Sequence, residues 1–197
     1  MLIITLSGKF GAIYATTVQG KAMVKKDCRI EVIDSQAGAG AQMLLVIAAA
    51  KMAQSGASLE QTVESVRKAI PRVHIRMTFD TLEYLRRGGR VGKAQAFLGG
   101  LLKVNPVLGI KDGAAFPIAR CRNRAQAMDF LVDFVKGFGQ IEAVAIEDAT
   151  TPEELELLAQ RLKDLVPAER TYRSKVSPVV GSHVGPHVLA VSVLEAV

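Results

Sequence analysis

Tryptophan is absent, and aromatic residues of all kinds make up only 5% of the 197. Surfaces that hold single-stranded nucleic acid stack its bases on aromatic rings, and this chain has little to build one from. Cysteine occurs twice, as Cys28 and Cys121, with no CxxC spacing. That excludes a disulfide framework and a thiolate metal site, and leads to an expectation of free thiols in a reducing cytoplasm. Of the three histidines, His183 and His187 are four apart, but Gly185-Pro186 between them forbids the helix that would aim both rings at one ion. Neither a metal nor a cofactor is expected. No apolar run approaches the ~18 residues that cross a bilayer, since Met43–Ala50 runs into Lys51. Met1–Ser7 lacks the basic flank of a signal peptide. A cytoplasmic chain without a membrane span is expected.

What is present is ordinary globular material, 49% hydrophobic and 22% charged, enough to bury a core. The net charge of +6 is unevenly placed. Arg86 to Arg124 holds nine Lys and Arg residues against one acid, Asp112, and the remainder is slightly acidic. Folded onto one face, that stretch would favour an anionic partner. A solvated surface explains it equally well, and without aromatics or a recognition motif a nucleic acid is not the expected partner.

Leu2–Leu6 reads as a short buried strand, followed by the glycine-rich turn Ser7–Gly11 and a helix over Ala12–Val24. Arg29–Asp34 alternates as a strand does. Ala41–Gln54 is a strongly apolar helix, and Leu59–Ala69 a second with Ser58 as its cap. This order suggests part of a parallel α/β sheet. Beyond Pro71 the pattern changes. Val73–Phe79 is a strand, Asp80–Glu83 reads as a capping box, and Val91–Leu102 as a helix. Asp112-Gly113 between Val104–Lys111 and Ala114–Ala119 is the strongest hairpin signal. An amphipathic helix over Arg124–Gly137, a strand at Glu142–Ile146 and a helix opened by Thr151-Pro152 follow. Strands at Tyr172–Val176 and Val188–Leu194 flank a polar turn at Ser182–Pro186. The expected architecture is α/β: a partial parallel α/β domain over residues 1–72, then an α+β domain over 73–197. The second carries a mixed or antiparallel sheet with helices on one face.

Gly88–Lys93 is not a phosphate loop, because the earlier glycine is missing and Ala94 stands where the metal-binding hydroxyl would be. Ser7, between a buried strand and a helix, is placed either to cap that helix or to meet an anion. His183 is either a structural histidine or a donor to a carboxylate. No acid is spaced to complete a hydrolytic triad, and no catalytic residue is assigned.

Several segments, taken in order, resemble one family. Phe79-Asp80-Thr81-Leu82-Glu83-Tyr84-Leu85-Arg86-Arg87-Gly88-Gly89-Arg90-Val91 is similar to the D-T-L-x-Y-L-x-x-G-G-R-I signature of the DegV family. Leu98–Pro106, Lys111-Asp112-Gly113, Arg122-Asn123-Arg124 and Val180–Pro186 resemble its later motifs, and Asp34-Ser35 and Ile4–Tyr14 its earlier ones. The resemblance implies a non-enzymatic lipid-binding protein that holds a long-chain fatty acid between two domains. Some members present the carboxylate to a separate fatty acid kinase subunit. Carried onto this chain, the fatty-acid-binding positions are Ser7, Gly8, Gly11, Ser182 and His183, and the partner-binding positions Arg87, Arg90, Arg122 and Arg124. In the serine loop only Ser7 and Tyr14 keep the family's hydroxyls, and His187 stands where the family has glycine. Family members are longer at the N-terminus, so a truncated chain that self-associates to cover an exposed sheet is expected. The alternative reading is a binding-deficient structural or interaction module.

Overall fold

Two sheets of unequal size divide the strands of the computed structural model, which describes residues 1–25, 27–97 and 104–197. The small sheet pairs β1 (Leu2–Thr5) and β2 (Glu31–Asp34) in parallel, Leu2 opposite Glu31 and Thr5 opposite Asp34. Helix α1 (Ile13–Met23) makes the crossover, and α2 (Ala39–Gln54) and α3 (Leu59–Ala69) follow. Ser58 caps α3 in a full capping box. Its hydroxyl accepts from the Gln61 N–H, and the Gln61 side chain accepts from the Ser58 N–H.

The large sheet has six strands: β3 (Val73–Thr78), β4 (Asn105–Lys111), β5 (Ala114–Cys121), β6 (Ile141–Asp148), β7 (Thr171–Lys175) and β8 (Leu189–Glu195). Their spatial order is β5-β4-β3-β8-β6-β7, antiparallel except for the β6–β7 pair. Between them lie α4 (Glu83–Arg87), α5 (Arg124–Lys136), α6 (Pro152–Leu162) and α7 (Pro178–Val184). The hairpin turns at Asp112 (φ 52°) and Gly113 (φ 78°), the left-handed pair that a two-residue turn requires. The parallel pair and the mixed sheet are those the sequence predicts.

Side chains alternate across the large sheet. Val144, Ile146, Leu189, Val191 and Val193 meet α5 and α6 through Leu131, Val135, Leu158 and Leu162. Burying each such side chain contributes about 1.5–3 kcal/mol. The opposite face takes α2, which explains that helix's all-round apolar sequence. Leu44 and Leu45 pack on Ala143, Ala145 and Leu194 of the large sheet, while Ala49 packs near Ile33 of the small one. The expectation of helices on one face thus holds for the long helices α5 and α6. The short helices α4 and α7 join α2 on the other side, over Ile75, Met77 and Leu108.

Three local expectations are corrected. Asp80–Glu83 forms no capping box: Thr81 Oγ1 accepts from the Glu83 N–H, and the Glu83 carboxylate is drawn to Arg86 and Arg87 instead. The stretch read as a helix over Val91–Leu102 is a 3₁₀ turn at Gly92–Phe97, and residues 98–103 lie outside those described. The motif Leu98–Pro106 falls partly there. The polar turn at Ser182–Pro186 is instead the last turn of α7, which starts at Pro178 with Ser177 as cap and stops at Gly185 (φ 85°).

Candidate functional site

A cavity of about 290 Å³ lies between the loops of the small sheet and the α2-side face of the large one. Leu6 and Phe10 of the loop after β1, Met77 of β3, Leu108 and Ile110 of β4 and Val180 of α7 form much of its wall. The backbone at Gly38 and Ala39, where α2 begins, completes that side. The volume sits at the low end of the range for small-molecule sites, and the apolar lining suits a hydrocarbon.

Two polar side chains reach this cavity, His183 from α7 and Arg90 from the segment after α4. Arg90 is half-buried, its Nε donating to the Phe10 carbonyl (3.0 Å) and its Nη1 to the Gly88 carbonyl (2.5 Å). His183 Nδ1 is buried with no hydrogen-bond partner. Gly88 lies against that ring so closely that a Cβ there would collide with it, so glycine lets α4 and α7 meet. A carboxylate at this end would meet the Arg90 cation and the accessible part of the His183 ring, whose Nδ1 is packed against Gly88.

The positions expected at the site are placed as follows. His183 and Gly11 line the cavity. Ser7 is buried at 1% exposure beside it, its Oγ donating to the Gly113 carbonyl (2.7 Å) and accepting from the Lys9 N–H (3.2 Å). Ser7 thus ties the β1 loop to the hairpin tip. Gly8 is exposed and donates its N–H to Asp34 Oδ2 (3.2 Å). Ser182 is exposed, its hydroxyl donating to the Val179 carbonyl of its own helix (2.8 Å).

The arginines are scattered. Arg90 turns inward to the cavity. Arg124 is bound by Glu154, with its Nη2 2.5 Å from Oε2. Arg87 pairs with Glu83 (2.7 Å), whose carboxyl the Arg86 and Arg87 hydrogen bonds hold down at about 2. The Arg122 side chain is exposed. Spacing alone did not mark Arg90 as a cavity residue; its direction depends on the Phe10 loop reaching it from the other sheet.

One further polar feature flanks the cavity. Glu147 on β6 is 5% exposed and accepts from the Gly40 N–H at the start of α2 (2.5 Å) and from Ser174 Oγ (2.9 Å). Burial pushes its carboxyl up, against the opposing pull of those two hydrogen bonds. Among the described residues, no group of three or more His, Cys, Asp or Glu side chains is disposed to hold a metal, and no helix is long and apolar enough to cross a membrane.

A family model described as uncharacterised protein, DegV family, matches residues 1–196. The chain belongs to the DegV family. A DegV domain-containing protein of Caldanaerobacter subterraneus is 36% identical over 189 residues, covering 94% of this chain and 67% of that protein. The solved structure of a fatty-acid-binding DegV family protein from Thermus thermophilus superposes with a TM-score of 0.89 at 26% identity, over 99% of this chain and 70% of that one. A DegV family protein from Eubacterium eligens, loaded with heptadecanoic acid, gives 0.89 at 14% identity over 99% and 72%. At that identity the likeness establishes the shared fold.

Proposed function

We propose that this chain binds a long-chain fatty acid in the cavity between its sheets. The acyl chain lies against Leu6, Met77, Leu108 and Ile110, and the carboxylate meets Arg90 and His183. The observation that carries the reading is an apolar cavity of about 290 Å³ whose two polar lining side chains are Arg90 and His183. Each methylene taken from water contributes about 0.8 kcal/mol. The carboxylate must replace its hydration with charge-assisted bonds, which an arginine and a histidine supply. The fatty acids associated with the Thermus and Eubacterium relatives support this ligand class.

Presentation of the carboxylate to a fatty acid kinase subunit is the finer part of the proposal. It rests on the family resemblance and on exposed arginines, Arg87 on the helix whose Leu85 lines the cavity, and Arg122. Self-association is proposed through α1, which buries no residue and exposes Ile13, Val18 and Met23. A chain that sediments as a monomer at high concentration would remove that part.

The test is organic extraction of the purified protein with mass spectrometry of the extract, then titration of delipidated protein with oleate. A stoichiometric fatty acid, and an affinity severalfold weaker in His183→Ala, are expected. A specific observation favours the second reading, a binding-deficient module: the Ser7 and Ser182 hydroxyls are both donated to backbone carbonyls. An empty extract and no oleate binding would establish it.

A further inference from the structure

The six-stranded sheet splits along part of its length. β3 pairs with β8 from Val73 to Thr78, but its register with β4 runs only from Arg76 to Thr78. β4 and β5 stay paired out to Lys111 and Ala114. The hairpin end therefore diverges from the first half of β3, and a cleft of about 830 Å³ opens in the gap. Ile75 and Ala37 reach it from the α2 side of the sheet, Arg76 and Ile118 from the α5 side, and Ile70 and Pro71 from the end of α3. Ile110 also lines the acyl cavity, so the two spaces are neighbours with a common wall.

The charges in this cleft are unbalanced. Arg67, Arg76 and Lys111 face one carboxylate, Asp112. His74 also lines it but is already engaged, its Nε2 3.2 Å from Glu195 Oε2. None of the three cations makes an ion pair among the described residues. Arg76 is the most informative. Its guanidinium is half-buried, 4.5 Å from the centroid of Phe134, and donates one bond, from Nη1 to the Ile75 carbonyl (2.9 Å). Burial alone pulls its pKa down. Gly109 is what lets it lie there, since a Cβ at that position would come within 2.9 Å of Nη1. A partly desolvated guanidinium without a counter-anion is costly, and an anion bound in the cleft would offset that cost. Lys111 Nζ lies 5.5 Å over the Phe116 ring, at the same cleft.

We propose that this cleft is a second binding site, for a small organic phosphate. Two uncompensated positive charges match a phosphomonoester dianion, and the planar fork of Arg76 suits phosphate oxygens in a way that a lysine would not. The organic body lies against Ile70, Pro71 and Phe116. The site does not depend on fatty acid binding.

The probe is trinitrophenyl adenosine monophosphate, whose emission rises on leaving water. Saturable one-to-one binding is expected, displaced by inorganic pyrophosphate and unchanged by prior saturation with oleate. Lys111→Glu and Arg67→Glu alter exposed side chains and leave the core intact. Each should weaken the probe by about tenfold, the loss of one charge-assisted contact. Arg76→Gln should do the same or more. The absence of saturable binding, or native affinity retained in both Lys111→Glu and Arg67→Glu, would overturn the proposal. So would a signal that oleate removes and the three substitutions leave alone, which places the probe in the acyl cavity.

Discussion

The two faces of the large sheet are made from the same strands and do different work. Along β6 and β8, Val144, Ile146, Val191 and Val193 point to α5 and α6, where large branched side chains close a dry core. The residues between them, Ala143, Ala145, Ala190 and Ser192, point the other way. Small side chains there let α2 come close, so Gly40 reaches Glu147 and a Cβ at Gly40 would meet Ala145 within 3.1 Å. The acyl cavity and its two polar groups belong to this second face. A strand repeat of two residues is enough to put the large branched core on one side and the proposed acyl site on the other.

The largest expected effect breaks the first face alone. Leu158, fully buried between α6 and the sheet, should cost about 2–5 kcal/mol as Leu158→Ala, measured by denaturant unfolding. The folded fraction should bind oleate as before. If affinity fell in step with stability, the division of labour between the faces would be wrong. Next in size are Arg90→Gln and His183→Ala on the second face. Each should weaken oleate severalfold, up to about tenfold or 1.4 kcal/mol of affinity. His183→Ala should change the unfolding midpoint little, whereas Arg90→Gln also gives up its bonds to the Phe10 and Gly88 carbonyls and should cost about 0.5–1.5 kcal/mol for each.

How much of this was legible beforehand follows the range of the interactions. The Ser58 cap, the Asp112-Gly113 turn and the strands β6 and β8 rest on signals within a few residues, and they stand in the structure where the pattern puts them. Helix α7 carried its own signals, Ser177-Pro178 at the start and Gly185 at the end. It is seven residues long between two strands, too short for an apolar period to show. The cavity was legible only through His183 and Gly11, because its wall is assembled from elements distant in the chain. The inward turn of Arg90 was hidden for the same reason: its acceptor is Phe10, 80 positions away.

A smaller effect tests the junction between the two sheets. Ser7→Ala leaves the Gly113 carbonyl without its donor and should cost about 0.5–1.5 kcal/mol. If Ser7 only anchors the hairpin tip, oleate affinity should stay within the error of the titration. A tenfold loss without destabilisation would instead return Ser7 to the carboxylate end of the site.

The smallest effect is a slope. Glu147 sits on the second face, and burial raises its carboxyl above the ordinary range. With its folded pKa above its unfolded one, the folded state holds the proton more tightly. Its contribution to stability is therefore present at acid pH and lost as pH rises through the folded pKa. Glu147→Gln keeps an oxygen for the Gly40 N–H and removes the titration. The comparison is the unfolding midpoint of both proteins from neutral pH down to the ordinary carboxylate range. The groups they share cancel in the difference, so the native protein should gain on the variant as pH falls. Parallel curves would mean that Glu147 keeps one protonation state throughout, and that its contact with α2 does not respond to pH. Because Gly38 and Ala39 beside that contact line the acyl cavity, the same series read by oleate titration shows whether the contact reaches the ligand.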